Sequence, residues 1–222
     1  RGEGMETFEE KFSVCTNGTA IEENVFLYDG VRITVLTSEL IRIERQADGK
    51  FCDFPTQTVW FRSLEKVDCS AENVDGDITV KTSKCSFIIS ENGRLKKVRL
   101  SDGRIVTNFK KGNLKGTRRT LDMTFGKVRL GDGIVSRFGV AVMDDSKSLI
   151  IKPDGSLGTR RDILGRTEDG TDKYVFAYGC DYRSALRDYY RITGSTPLIP
   201  RYCLGNWWSR YREYTQEEYL SL

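Results

Sequence analysis

The chain has 222 residues, of which 38% are hydrophobic and 30% charged, with a formal net charge of +3. Its basic residues are spread along the chain in short runs such as Lys96-Lys97 and Lys110-Lys111, which excludes a nucleic-acid footprint and implies a solvated charged surface over an ordinary globular core. There is no histidine, which excludes a Ser-His-Asp triad, a Cys-His pair, every His-ligated metal site and a mutarotase that relies on a histidine acid.

The six cysteines are Cys15, Cys52, Cys69, Cys85, Cys180 and Cys203, and none forms a C-x-x-C pair. Wide spacing of this kind suits free thiols in a reducing compartment better than zinc or a disulfide framework. No 18-residue apolar run and no basic-then-apolar start is present. A cytoplasmic location with no membrane partner, no metal and no cofactor is therefore expected. Asn17-Gly18-Thr19 spells a glycosylation triplet, a pattern that also arises by chance.

In chain order, residues 31–36 and 40–45 carry β-branched and apolar residues in near alternation, as in strands with one face buried and one wet. Residues 58–61, 78–82, 86–90 and 97–100 continue that pattern, separated by turn signals at Asp48-Gly49, Asp75-Gly76, Asn92-Gly93 and Asp102-Gly103. Many short strands with glycine turns predict a mostly β chain built as an antiparallel β-sandwich. From 112 to 139 the texture changes to a glycine-punctuated loop, which returns to strand at 139–143. Its glycines spell neither a dinucleotide fingerprint nor a phosphate loop, so nucleotide binding is not expected. Loops of this length are often functional, with an irregular connection as the plain alternative. Asp144-Asp145-Ser146 is most simply a hairpin turn.

Further on, Asp181 is placed to cap a helix from Tyr182 to Thr193 that Gly194 ends, with Tyr182, Ala185, Leu186, Tyr189 and Tyr190 on one face. Pro197 and Pro200 forbid its continuation. Residues 202–208 form a short apolar run suited to a buried strand. Thr215 and Glu218 then have the spacing of a capping box at a helix start. A strand followed by the start of a helix is half of a βα unit, so the chain looks cut within one.

The string Ala185-Leu186-Arg187-Asp188-Tyr189-Tyr190-Arg191-Ile192-Thr193-Gly194, then Pro197-Leu198-Ile199-Pro200-Arg201 and Leu204-Gly205-Asn206-Trp207-Trp208-Ser209-Arg210-Tyr211, closely resembles the linker helix, crossover and first barrel strand of family 31 glycoside hydrolases. Asn113-Leu114-Lys115-Gly116-Thr117 with Thr120-Leu121-Asp122, and Asp144-Asp145-Ser146, also look like that family's N-terminal domain. The resemblance implies a galactose-mutarotase-like sandwich over residues 1–180, a linker helix and Pro-rich crossover over 181–199, and the first strand and helix start of a (β/α)8 barrel over 200–222. It implies a retaining α-glucosidase or α-xylosidase whose nucleophile and acid/base, roughly 5 Å apart, lie on later barrel strands. No catalytic residue is therefore expected in this chain. Its partners would be an α-linked oligosaccharide and the missing barrel, with self-association through the exposed tail in the barrel's absence.

Four substrate-binding residues follow from the resemblance. Asp122 and Thr124 match sugar-contacting positions on the loop over the barrel mouth, where a carboxylate would hold two sugar hydroxyls. Tyr214 matches an aromatic lining the pocket, and Trp208 is a candidate for the same wall. Each has a plainer alternative: Asp122 as a turn former, Tyr214 as a packing residue, and one of Trp207 and Trp208 as core, since strand neighbours point to opposite faces. The chain departs from the family at residues 138 and 140, where Phe138 and Val140 replace an expected Asp and Trp. A competing function is a non-catalytic carbohydrate-binding sandwich module. A third is a structural domain whose only task is to brace a barrel.

Overall fold

The computed structural model of the chain describes residues 15–116, 123–165, 170–196, 198–205 and 213–221. Strands β1 (Val25–Tyr28), β2 (Val31–Thr37) and β3 (Leu40–Arg45) open the first sheet. The meander β4 (Cys69–Val74), β5 (Asp77–Thr82), β6 (Ser86–Ser90), β7 (Leu95–Arg99) and β8 (Ile105–Val106) forms a second five-stranded antiparallel sheet in sequence order. The chain then returns with β9 (Ala141–Asp144), the small pair β10 (Ile150–Ile151) and β11 (Leu157–Gly158), a helix Arg160–Leu164, and β12 (Thr171–Phe176). The first sheet is completed in the order β1-β2-β3-β12-β9, so its strands come from both ends of the chain.

Turn chemistry fixes the registers. Asp75 and Gly76, at φ 52° and 81°, form the two-residue left-handed turn that matches strand twist, and Val74 pairs with Asp77 across it. The sheets face each other over one core, which joins Val31, Ile33, Val35, Ile41 and Ile43 to Ile78, Val80, Phe87, Ile89 and Val98. This is the expected sandwich.

The expectation of one wet face fails for the first sheet. Every residue of β2 is buried, Arg32 and Thr34 included. A second apolar cluster on the outer side joins Leu36, Leu40, Tyr174 and Phe176 to Val59, Ala185 and Ile192. The cover is the segment 52–62 and the helix Tyr182–Thr193. Residues 58–61, expected as a strand, join neither sheet: Phe61 makes a single parallel bridge with Asn17, and Trp60 and Phe61 both donate N–H bonds to Ile192 O, at 2.8 and 3.0 Å. They lie over a sheet face and meet the end of a helix, so their strand pairing stops at that one bridge.

Asp181 caps the helix as expected, accepting from Ser184 N at 3.1 Å, and Gly194 ends it at φ 89°. Its buried residues are Ala185, Asp188 and Ile192, while Leu186 and Tyr190 are each 44% exposed. The apolar face is thus narrower than the spacing suggested. In the tail, Arg201–Leu204 is a 3-10 turn with Tyr202 and Leu204 exposed, which corrects the expected strand over those residues. A strand needs a neighbour to bond its backbone, and no described strand lies beside it. Residues 206–212 lie outside the described ones, and Gln216–Leu220 is the expected short helix with Thr215 and Glu218 forming the capping box.

Candidate functional site

The glycine-rich segment 112–139 leaves the sandwich between β8 and β9 as an arm. Its two limbs bond to each other: Arg137 N to Gly112 O at 2.9 Å, Leu114 N to Val135 O at 2.9 Å and Gly116 N to Gly131 O at 3.0 Å. Asn113 completes the root by donating to Gly133 O and accepting from Gly133 N, each at 2.8 Å. A Cβ on Gly133 would stand 2.2 Å from Leu114 O, so the limbs approach this closely only because that position is glycine. Lys115 and Asp132 add an ion pair across the limbs.

Beyond the ladder the arm carries Met123 and Phe125, each 88% exposed, with Met123 at φ 56°. Exposed apolar side chains on a loop held at its root suit contact with another surface. Thr124, between them, is exposed. Asp122 and Trp208 lie outside the described residues. Tyr214 is half-buried and meets Tyr219 edge to face at 6.2 Å, within its own tail. The structure therefore locates two of the four expected sugar contacts, Thr124 on the arm and Tyr214 on the tail. Phe138, one of the departures from the family pattern, is 42% exposed under Lys111 Nζ at 4.8 Å, and Val140 is core.

What sequence reasoning missed is the charge beneath the outer face of the first sheet. Arg42 is 1% exposed and donates Nε and Nη2 to the two oxygens of Asp172 at 2.8 Å each. Glu44 accepts from Arg32 at 2.6 Å and pairs with Arg42 at 2.9 Å. Arg160 reaches Asp172 at 2.9 Å and Asp145 at 3.2 Å. Arg62 donates to the Tyr174 hydroxyl at 2.7 Å and to the carbonyls of Gly18 and Phe54. Burial alone would raise the Asp172 carboxyl, but Arg42, Arg62 and Arg160 hold it well below the usual carboxylate range. These arginines are not the solvated surface that their spread along the sequence implied. Asp145, read as a turn residue, is fully buried and also accepts from Thr56 at 2.9 Å. The signal was faint: Arg32, Arg42 and Glu44 sit at the polar positions of alternating strands, where solvent is the simpler expectation.

The arm's root also borders a cleft of about 900 Å³ between the two sheets, lined by Asn113 and Asp132 among others. Among the described residues no group of His, Cys, Asp and Glu is placed to hold a metal ion. All six cysteines are free, and among the described residues no helix is long and apolar enough to cross a membrane.

No protein-family model matches the chain. A stretch of 91 residues, 40% of the chain, is 32% identical to an α-xylosidase of Saccharolobus solfataricus and covers 12% of it. The chain thus spans a small part of the curated relative that it matches. Among solved structures, a GH31 α-xylosidase from a soil metagenome, complexed with xylose, is 13% identical with a TM-score of 0.49, over 89% of this chain and 37% of that one. A GH31 dextranase of Flavobacterium johnsoniae, complexed with glucose, is 14% identical with a TM-score of 0.47, over 82% and 28%. At those values the structural matches add no weight of their own. The sequence match and the motifs of the linker helix and arm support a family 31 glycoside hydrolase N-terminal domain.

Proposed function

We propose that this N-terminal domain serves a retaining glycoside hydrolase of the α-glucosidase type, acting on α-linked glucosides or xylosides. The observation that carries the reading is the 91-residue match to an α-xylosidase. In this reading residues 1–180 form the sandwich, 181–199 the linker and 200–222 the entry to a catalytic barrel. The sandwich braces the barrel, and the arm reaches over the barrel mouth. Asp122 and Thr124 then orient the sugar through hydroxyl hydrogen bonds, while Tyr214 and Trp208 wall the pocket. The root ladder supports this role, because a positioning group works only when its own frame is held. The exposed Met123 and Phe125 give the arm an apolar tip to seat on that second surface.

Nucleophile and acid/base are assigned to residues outside this sequence, since retention needs two carboxylates facing each other across the scissile bond. The test is hydrolysis of p-nitrophenyl α-glucoside and α-xyloside. The whole protein turns over one of them, Asp122→Ala lowers kcat/KM about tenfold to a hundredfold, and the 222-residue chain alone shows no turnover. A whole protein inert on both substrates, or an Asp122→Ala variant with unchanged efficiency, overturns the assignment.

A further inference from the structure

The core-facing side of the first sheet changes character along its length. Val175 pairs with Ile41 and Val142 in an apolar row. In the next row Lys173 lies between Ile43 and Asp144, and in the third Arg45 pairs with Thr171. A sandwich ordinarily fills this space with apolar side chains. Here the sheets part instead into the cleft of about 900 Å³, a size within the roughly 300–1,000 Å³ of small-molecule sites.

Arg94 on the β6–β7 turn and Lys110 at the start of the arm bring two more cations to the same cleft. None of Arg45, Arg94, Lys110 and Lys173 has a hydrogen bond or ion pair from its side chain among the described residues, while Lys173 is half-buried. Of the two carboxylates lining the cleft only Asp132 has a cation of its own, while Asp144 stands beside Lys173 in the register and keeps its charge. Asp132 pairs with Lys115, and Asp144 accepts from Ser146 N at 3.0 Å and from Ser146 Oγ at 2.5 Å. Four cations and two carboxylates line the cleft, and one of those carboxylates is paired with Lys115, so the cleft has a net positive charge that an anion would offset. Half-buried Phe109 and Leu95 line the same space and offer an apolar surface, and Thr107 and Thr171 supply hydroxyls.

We propose that the cleft binds a sugar that carries an anionic group, either a phosphate or a carboxylate. The cations take the charged group, and the ring face lies on Phe109. The sugar body rests on the glycosidase reading, whereas the anion does not. Calorimetric titration of the chain at low ionic strength with glucose 6-phosphate, glucuronate, glucose and inorganic phosphate tests it. One or both charged sugars bind with one-to-one stoichiometry, at least about tenfold tighter than glucose or phosphate, and added salt weakens them. Which charged sugar binds better identifies the anion. Arg94→Gln, at an exposed turn, and Lys173→Met each weaken binding about tenfold to a hundredfold. Thermal melting of both variants separates lost binding from lost fold, with the exposed Arg94 site keeping the test open if Lys173→Met unfolds. No binding by either charged sugar, equal binding by glucose, or an Arg94→Gln variant that binds normally overturns the proposal. Phosphate as tight as glucose 6-phosphate, with glucuronate not binding, reduces it to an adventitious ion only. Failure of the glycosidase reading would appear in hydrolysis by the whole protein and would leave these titrations unchanged.

Discussion

Arg42 and Asp172 form the sharpest contrast among the ion pairs of the chain. Each is 2% exposed or less, so removing one charge strands the other away from water. Asp172→Asn leaves Arg42 and Arg160 short of a counter-charge and is expected to destabilise the chain by about 3–5 kcal/mol in urea unfolding. Lys81 and Glu72, both more than half exposed at 2.9 Å, provide the control, and Glu72→Gln is expected to cost under about 1 kcal/mol. An Asp172→Asn melt equal to wild type would show that the cluster relaxes around the loss. Alkali probes different residues. Burial raises the Cys85 thiol from 9.0 to about 12, and burial likewise raises the hydroxyls of Tyr174 and Tyr178. A raised folded-state pKa means that stability is intact below the unfolded value and is lost as pH climbs toward the folded one. The unfolding free energy from urea titration should therefore hold to about pH 8.5 and fall beyond it, by up to about 1.4 kcal/mol per pH unit for each group titrating. Cys85→Ala should flatten the fall between pH 9 and 10, and an unchanged slope there would remove Cys85 from the account. None of these partnerships was legible in the sequence, because an arginine at a strand's polar position reads the same whether water or a carboxylate meets it.

At the scale of elements, alternation and glycine turns located β2, β3, β5, β6 and β7, because side-chain period and left-handed turn positions are local properties. The tight turns at Asp75-Gly76 and Asn92-Gly93 needed no tertiary context. Residues 58–61 and 202–204 misled for the opposite reason. An apolar run becomes a strand only when another backbone pairs with it, and that is decided elsewhere in the fold. The arm was legible in its ends and in its glycines. Its ladder was not, since backbone groups make those bonds. The Asn113 side chain holds the ladder at Gly133, so Asn113→Ala should loosen the arm without unfolding the sandwich. Trypsin should then cut faster at Lys115, Lys127 or Arg129, by about tenfold for the hydrogen bonds lost. Equal cutting rates would mean that the remaining backbone bonds suffice.

For the whole molecule, the tail after the linker helix carries the largest run of uncovered apolar side chains among the described residues. Leu198 is 99% exposed, Tyr202 76% and Leu204 72%, a run of apolar surface with no described cover. Burying each such side chain is worth roughly 1.5–3 kcal/mol, so a few of them support a weak dimer. Sedimentation of the chain and of a form truncated after Pro197 tests this. The longer form should associate, and the shorter should stay monomeric with its sandwich intact. A monomeric long form with a protease-resistant tail would show that these residues pack within their own chain. The sandwich has a different exposure, one of timing. Arg42 and its partner Asp172 are 130 residues apart in sequence, and β12 lies between β3 and β9. At about 5–20 residues per second, a ribosome takes roughly ten seconds to travel that distance. Throughout that interval β3 lacks its β12 neighbour, and Arg42 has only Glu44, two residues along the same strand, as a counter-charge. Over that interval water, rather than Asp172, solvates the Arg42 guanidinium, and the pair is taken out of water only when β12 arrives.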